Sequence, residues 1–217
     1  AMKLVRSYLL FTPLLYRILM LVVLPVAVWI FAIFFCVDAI IGTIMSAMIA
    51  CCVEIIADYW VFGGICTKEF PGLEFLKSSV RGRKIFRSAV TGDCVRKLIW
   101  SLVLVAGPTI LMILSGDREY AGIGPVMQPI ASLASGLLAY STILLFQFIA
   151  RHLINFALSM LMAYISATAG TLLAVAAVAW SPVGMLLIGV ALSILLTAFT
   201  IWDLNRRMEG SYYDGTM

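Results

Sequence analysis

Six apolar stretches, each long enough to cross a lipid bilayer as a helix, constrain this chain more than any other feature of its sequence. An α-helix rises 1.5 Å per residue, so roughly 20 consecutive apolar residues span the hydrocarbon core. The fold class that we predict is therefore all-α: a polytopic integral membrane protein with six transmembrane helices and a short cytoplasmic helical link between spans two and three. The spans are expected at about residues 14–36, 39–57, 98–114, 126–150, 153–180 and 183–202.

The amino-acid composition agrees with a membrane environment. Hydrophobic residues make up 63% of the chain and charged residues 12%, whereas a soluble domain is about 45–50% apolar and about 25% charged. No basic stripe lies on a soluble fold, so a nucleic-acid partner is not expected. The sequence contains no P-loop, no hydrolase motif and no cysteine–histidine spacing typical of zinc. We therefore predict neither an enzyme nor a bound cofactor or metal.

The Lys and Arg residues predict the orientation of the spans. With six spans, every basic residue except Arg118 falls on the same side as the two termini. Lys and Arg are enriched in cytoplasmic loops, so both termini and the long connection at 59–97 are expected in the cytoplasm, with the protein in the cell membrane. Tryptophans near the predicted span ends are expected to anchor them at the headgroup level: Trp60, Trp100, Trp180 and Trp202.

This topology divides the chain into five parts. Residues 1–13 form an N-terminal cytoplasmic interfacial segment, either an amphipathic helix on the membrane surface or an extension of span one. Proline breaks a helix, so Pro13 marks the end of this segment. Residues 14–58 hold spans one and two, 59–97 the cytoplasmic coupling or link region, 98–202 spans three to six, and 203–217 a cytoplasmic tail.

Two acidic residues near the end of span two form one candidate site. Glu54 and Asp58 are four residues apart, so they lie on one face of the helix. Acidic residues inside a membrane are functional candidates by default. We favour a structural role for this intramembrane acidic pair, in ion pairs with Arg17, Arg96 or Lys97, over a proton or ion site.

Small residues and helix breakers lead to further expectations for the spans. Gly107-Pro108 should kink span three, and span five is long enough to hide a break near Gly170. Small side chains let helices approach closely. We favour close packing within the chain over a dimer seam. The stripe in span five consists of Ala163, Ala167, Gly170, Ala174 and Ala177.

The connection between spans two and three is the only sizeable polar part of the chain. Within it, Pro71-Gly72 and Gly82 are breakers that bound a segment at 73–84, for which the spacing of Leu73, Leu76 and Val80 predicts a short helix with one apolar face. A helix this short is marginal alone in water. We expect its apolar face to be covered by membrane lipid, by a docked cytoplasmic subunit, or by both.

The order of these parts resembles the transmembrane permease subunit of an ABC exporter, of the type-2 permease class in its compact bacterial form. The resemblance covers a surface helix, two spans, a cytoplasmic link and four more spans. It is most specific in two stretches. Glu54–Tyr59 gives span two an acidic end, and Gly72–Ile85 contains a Leu-Glu-x-Leu helix followed by a basic turn. The connection before span six is shorter here than in many members of that family.

The resemblance implies a homo- or heterodimer of permeases that is driven by a separate ATP-binding subunit. In that family the link is the coupling helix that docks on the ATPase. The residues expected to make this contact here are Leu73, Glu74, Leu76, Lys77 and Arg81. The aliphatic spans would suit an amphipathic peptide, a lipid or a drug as cargo.

Two other functions are compatible with the residues. One is the substrate-capture subunit of an energy-coupling-factor importer, which also has six spans and about this size. The long basic loop between spans two and three argues against it. The other is a membrane scaffold or immunity protein that transports nothing.

Overall fold

The computed structural model describes residues 2–12, 14–35, 38–58, 79–116, 123–124, 126–152 and 156–210. All regular secondary structure in these ranges is helical, mostly α-helical, with a π-helical segment in each of spans one and three. The helices are α1 (Met2–Phe11), α2 (Leu14–Ile18), π1 (Leu19–Val23), α3 (Leu24–Phe35), α4 (Ala39–Asp58), α5 (Val80–Ser101), π2 (Leu102–Ala106), α6 (Gly107–Leu114), α7 (Gln128–His152), α8 (Phe156–Ala179) and α9 (Pro182–Gly210).

Within the described ranges, six helical runs are long and apolar enough to cross a membrane. They are Leu14–Phe34, Ala39–Asp58, Val80–Leu114, Gln128–Arg151, Met160–Ala179 and Pro182–Arg206. The prediction of an all-α chain with six candidate spans is thereby confirmed. The third run has 35 residues, well above the roughly 20 that a bilayer requires, so its first turns extend beyond the apolar part of the bundle.

The N-terminal segment forms a helix of its own rather than an extension of span one. Helix α1 ends at Phe11, and α2 begins only at Leu14. Helix α1 packs against α5 and buries Tyr8. Arg17 Nε donates to the carbonyl oxygen of Thr12 at 3.1 Å, and Arg17 Nη2 donates to that of Leu9. A cation at these carbonyls complements the negative end of the α1 dipole.

Span five packs closely on span two through its small residues. A Cβ atom added at Gly170 would lie 2.7 Å from Cys51 Sγ on α4, so the helices could not approach this closely with a larger residue there. The alanines of the stripe, Ala163, Ala167, Ala174 and Ala177, are buried. The stripe therefore serves packing within the chain. The break near Gly170 that the length of span five left open does not occur, because α8 is continuous through this position.

Spans four and six are joined by hydroxyl groups as well as by small residues. Tyr140 Oη and Thr197 Oγ1 are 2.7 Å apart, and Ser141 Oγ lies 3.2 Å from Ser193 Oγ. The opposite face of span six is apolar and exposed. An exposed aliphatic face on a helix of this length is suited to contact with lipid.

A buried ion-pair cluster as candidate functional site

Three acidic and three basic side chains meet where α4, α5 and α7 pack together. We call them the ion-pair cluster; each is at most 9% exposed. Three carboxylates balance three cations, so the formal charge of the cluster is zero. This balance matters because an unpaired charge in such a place would be very costly. The members are Glu54 and Asp58 on α4, Asp93, Arg96 and Lys97 on α5, and Arg151 on α7.

Helical spacing brings the members of each helix to one face. Glu54 and Asp58 are four residues apart, and Asp93 precedes Arg96 by three and Lys97 by four. Side chains at these spacings are neighbours on a helix surface. Each of the two helices therefore presents its charges as one group, and the long side chains of Arg96 and Lys97 on α5 reach the carboxylates on α4.

The first half of the cluster is a two-point contact between Arg96 and Glu54. Arg96 Nη1 lies 2.7 Å from Glu54 Oε1, and Arg96 Nη2 lies 2.7 Å from Glu54 Oε2. A planar guanidinium and a carboxylate form their most directional ion pair in this arrangement. Arg96 Nη2 also lies 3.3 Å from Asp93 Oδ1. Among the buried side-chain nitrogens and oxygens of the described residues, Arg96 Nε is the one without a hydrogen-bond partner.

Two tyrosines cover this pair on the side of the N-terminal helix. The rings of Tyr8 and Tyr16 have their centroids 5.8 Å and 6.0 Å from Arg96 Cζ, a distance at which a cation is attracted to an aromatic face. Burial raises the pKa of the Tyr8 phenol. The Tyr8 hydroxyl donates to Tyr16 Oη at 3.2 Å.

The second half of the cluster centres on Asp58, which receives two cations. Lys97 Nζ lies 2.9 Å from Asp58 Oδ1. Arg151 uses two nitrogens, Nη2 at 2.6 Å from Oδ1 and Nε at 2.7 Å from Oδ2. Lys97 is also paired with Asp93. Because Arg151 is on α7, this half of the cluster joins three helices.

An amide side chain connects the two halves. Gln147 Oε1 accepts from Lys97 Nζ at 2.9 Å, and Gln147 Nε2 donates to the backbone carbonyl of Glu54 at 3.1 Å. The side chain of Gln147 is fully buried. One residue of α7 thus satisfies a polar group on α4 and another on α5, which fixes the relative positions of all three helices.

The acidic pair singled out in the sequence lies inside this cluster. Of the three basic residues considered as partners, Arg96 and Lys97 pair with the acids, whereas Arg17 binds the end of α1. Asp93 and Arg151 were not anticipated as members. The spacing of Asp93 relative to Arg96 and Lys97 is a signal that could have identified it. Arg151 gave no such signal, because it was assigned to the connection between spans four and five.

The cluster is suited to joining helices rather than to binding a metal ion. Each carboxylate faces at least one cation within the cluster, so their negative charge is already compensated. The described part of the chain contains no group of three or more His, Cys, Asp or Glu side chains placed to hold a metal.

The residues expected to dock a partner lie at the start of α5 or before it. Leu73, Glu74, Leu76 and Lys77 lie outside the described residues, and Arg81 is exposed in the first turn of α5. Gly82 does not end a helix as expected. Its N–H donates to Ser79 Oγ at 2.9 Å, so Ser79 caps a helix that starts at Val80 and continues into span three.

No protein-family model matches this sequence, and no curated protein or solved structure gives a significant match to it. The function must therefore be argued from the ion-pair cluster and from α5, the helix that supplies half of its members.

Proposed function

We propose that this chain is the transmembrane subunit of an ATP-driven exporter, working as a dimer with a separate ATP-binding subunit. The observation that supports this proposal best is the position of α5. It starts at Val80, passes through the ion-pair cluster and continues through π2 and α6 to Leu114. A displacement applied near Val80 would therefore reach the cluster and, through it, spans two and four.

The first part of α5, before Asp93, has one buried face and one exposed face. Asp93 follows Val80 by thirteen positions, which corresponds to about 20 Å of helix, and Phe86 and Val90 on this part are buried. Four basic side chains on this part are exposed: Arg81, Arg83, Lys84 and Arg87. The acidic side chains that the structure describes at the same end of the bundle are buried: Glu54, Asp58, Asp93 and Asp203. The exposed face of α5 therefore presents positive charge, which suits an acidic groove on a partner.

The ion-pair cluster supplies the rigid attachment that such a helix needs. Moving α5 relative to α4 would separate Arg96 from Glu54 and Lys97 from Asp58, leaving charges unpaired away from water. Breaking a buried pair in this way costs about 3–5 kcal/mol. The three helices are therefore expected to move as one body when the partner changes conformation.

The proposal is tested by the ATPase activity that co-purifies with the chain. Tagged protein from its native membranes should carry ATP turnover that is lost in Leu76→Asp and reduced in Arg81→Glu. Arg206→Glu is the matched control, because Arg206 is an exposed arginine at the same end of the bundle, on α9. Thermal unfolding of each purified variant shows whether the bundle itself is intact.

Two results would overturn the exporter proposal. One is a native preparation without associated ATP turnover. The other is a Leu76→Asp variant that retains the complex and its full activity. Tight binding of a small molecule by the isolated chain, with no ATPase in the preparation, would instead favour a substrate-capture subunit.

The orientation that the proposal requires has its own test. Lys84 and Ser115 are exposed at opposite ends of span three. A membrane-impermeant maleimide added to intact cells should label Ser115→Cys and should label Lys84→Cys only after permeabilisation, with the parent chain as control for its own cysteines. The reverse pattern would place the N-terminal end of α5 outside the cell, where no ATPase subunit could reach it.

A further inference from the structure

In both π-helical segments a proline lies two residues after the last π-helical residue: Pro25 after Val23 and Pro108 after Ala106. In a π-helix the carbonyl oxygen of one residue accepts from the N–H five residues later. The N–H of Leu24 donates to Leu19 O, and the N–H of Gly107 donates to Leu102 O. Both bonds have this five-residue spacing.

For the next carbonyl oxygen in each segment, the residue that should donate a hydrogen bond is a proline. In the same register, Met20 O would accept from residue 25, and Val103 O would accept from residue 108. Both positions are proline, Pro25 and Pro108, and proline has no N–H to donate. An unsatisfied carbonyl inside a bilayer costs several kcal/mol. Each helix therefore needs a donor from elsewhere for this oxygen.

Each of these helices receives that donor from the other. Trp100 Nε1, on span three, donates to Met20 O in span one at 2.6 Å. Trp29 Nε1, on span one, donates to Val103 O in span three at 3.0 Å. We call these two residues the crossed tryptophan pair. The two indoles satisfy the same two oxygens that the prolines leave without a donor.

The glycine before the second proline makes room for this arrangement. A Cβ atom at Gly107 would lie 2.7 Å from Trp29 Cζ2, which is closer than carbon atoms approach in proteins. The Gly107-Pro108 sequence therefore has two roles. Proline removes the donor, and glycine admits the ring that replaces it.

We propose that the crossed tryptophan pair holds spans one and three in their π-helical register and makes the two spans change register only together. In an uninterrupted α-helix a proline leaves the carbonyl four residues earlier without a donor, which here would be Leu21 O and Leu104 O. Those oxygens lie about 100° around the helix from Met20 O and Val103 O. An indole placed for one register is therefore misplaced for the other, and the pair distinguishes two discrete states.

The coupling follows from both bonds joining the same two helices. A shift of span one against span three that releases Trp100 from Met20 also displaces Trp29 from Val103. The inference does not depend on the exporter proposal, since it concerns hydrogen bonds within one chain and is read out by stability and amide exchange.

The test removes each indole donor and then restores the N–H that the proline lacks. Trp100→Phe and Trp29→Phe should each raise the unfolded-to-folded ratio in detergent about tenfold. Pro25→Ala supplies an N–H near Met20 O and should rescue Trp100→Phe but not Trp29→Phe. Pro108→Ala should rescue Trp29→Phe but not Trp100→Phe. Trp180→Phe, at a tryptophan that is 83% exposed, is the control and should have no effect.

Amide exchange tests whether the two spans respond together. Trp29→Phe should speed exchange at both π-helical donors, Leu24 in span one and Gly107 in span three. Faster exchange in one span alone would overturn the coupling. Rescue of both tryptophan variants by the same proline variant would overturn the assignment of the bonds. If Trp100→Phe alone does not fold, the Pro25→Ala/Trp100→Phe double variant still tests the inference. The inference requires this double variant to fold, and its failure to fold would overturn the inference.

Discussion

Helix α4 is held to two neighbours by opposite means: long charged side chains bridge it to α5, whereas its backbone lies close to that of α8. Against α5 it uses charged groups, with Glu54 and Asp58 facing Arg96 and Lys97. Against α8 the interface consists of small residues, and Gly170 lies directly over Cys51. The contrast shows that one helix can be held on one side by charge and on the other by close approach.

The two interfaces contribute differently to the fold. A buried ion pair adds little net stability, because desolvating the charges offsets their attraction, but losing one partner is severe. A small-residue interface gains from many weak dispersion contacts and depends on shape. We therefore expect the charged side to determine which helices meet and in what register, while the small-residue side provides close packing.

The largest effect is expected at the centre of the ion-pair cluster. Asp58→Asn would leave Lys97 and Arg151 buried with less negative charge, and we expect a loss of about 3–5 kcal/mol of stability. Thermal or denaturant-induced unfolding in detergent measures this loss. The control is Asp38→Asn, because Asp38 is exposed and should be nearly neutral. Similar melting temperatures for the two variants would show that the charges of the cluster are not needed to hold α4, α5 and α7 together.

An intermediate effect is expected at the small-residue interface. Gly170→Leu would force α8 away from Cys51, and overpacking of this kind costs about 1–3 kcal/mol. Thr168→Leu introduces the same side chain two residues away at an exposed position and should be tolerated. A stable Gly170→Leu variant that became a dimer would indicate that the stripe can serve contacts between chains after all.

The smallest effect is expected where α7 and α9 meet through hydroxyl groups. Tyr140→Phe removes the bond to Thr197 but keeps the ring, and a neutral hydrogen bond between membrane helices contributes about 0.6 kcal/mol on average. Tyr164→Phe, at a side chain that is 70% exposed, measures the effect of losing a hydroxyl without a change in packing. A loss at Tyr140 as large as that at Asp58 would remove the distinction between charged and neutral interfaces.

Tryptophan illustrates where sequence-based interpretation was insufficient. Trp180 and Trp202 are 83% and 53% exposed, as suits residues expected to contact lipid. Trp100 was expected to have the same role, yet its N–H donates into span one. All three lie near the end of a predicted span. The hydrogen bond of Trp100 to span one depends on where the neighbouring helix lies, which the sequence does not reveal.

The sequence by itself determined the six candidate spans of the described part of this protein. Apolar length and the helix-breaking Pro13 act locally, so each can be recognised within a few residues. Tertiary structure alone decided the partners. Asp58 and Arg151 are 93 residues apart, and Trp29 is 74 residues from Val103. Such pairs form because packing brings a charge or an unsatisfied carbonyl into a place without water, where only a side chain from another helix can satisfy it.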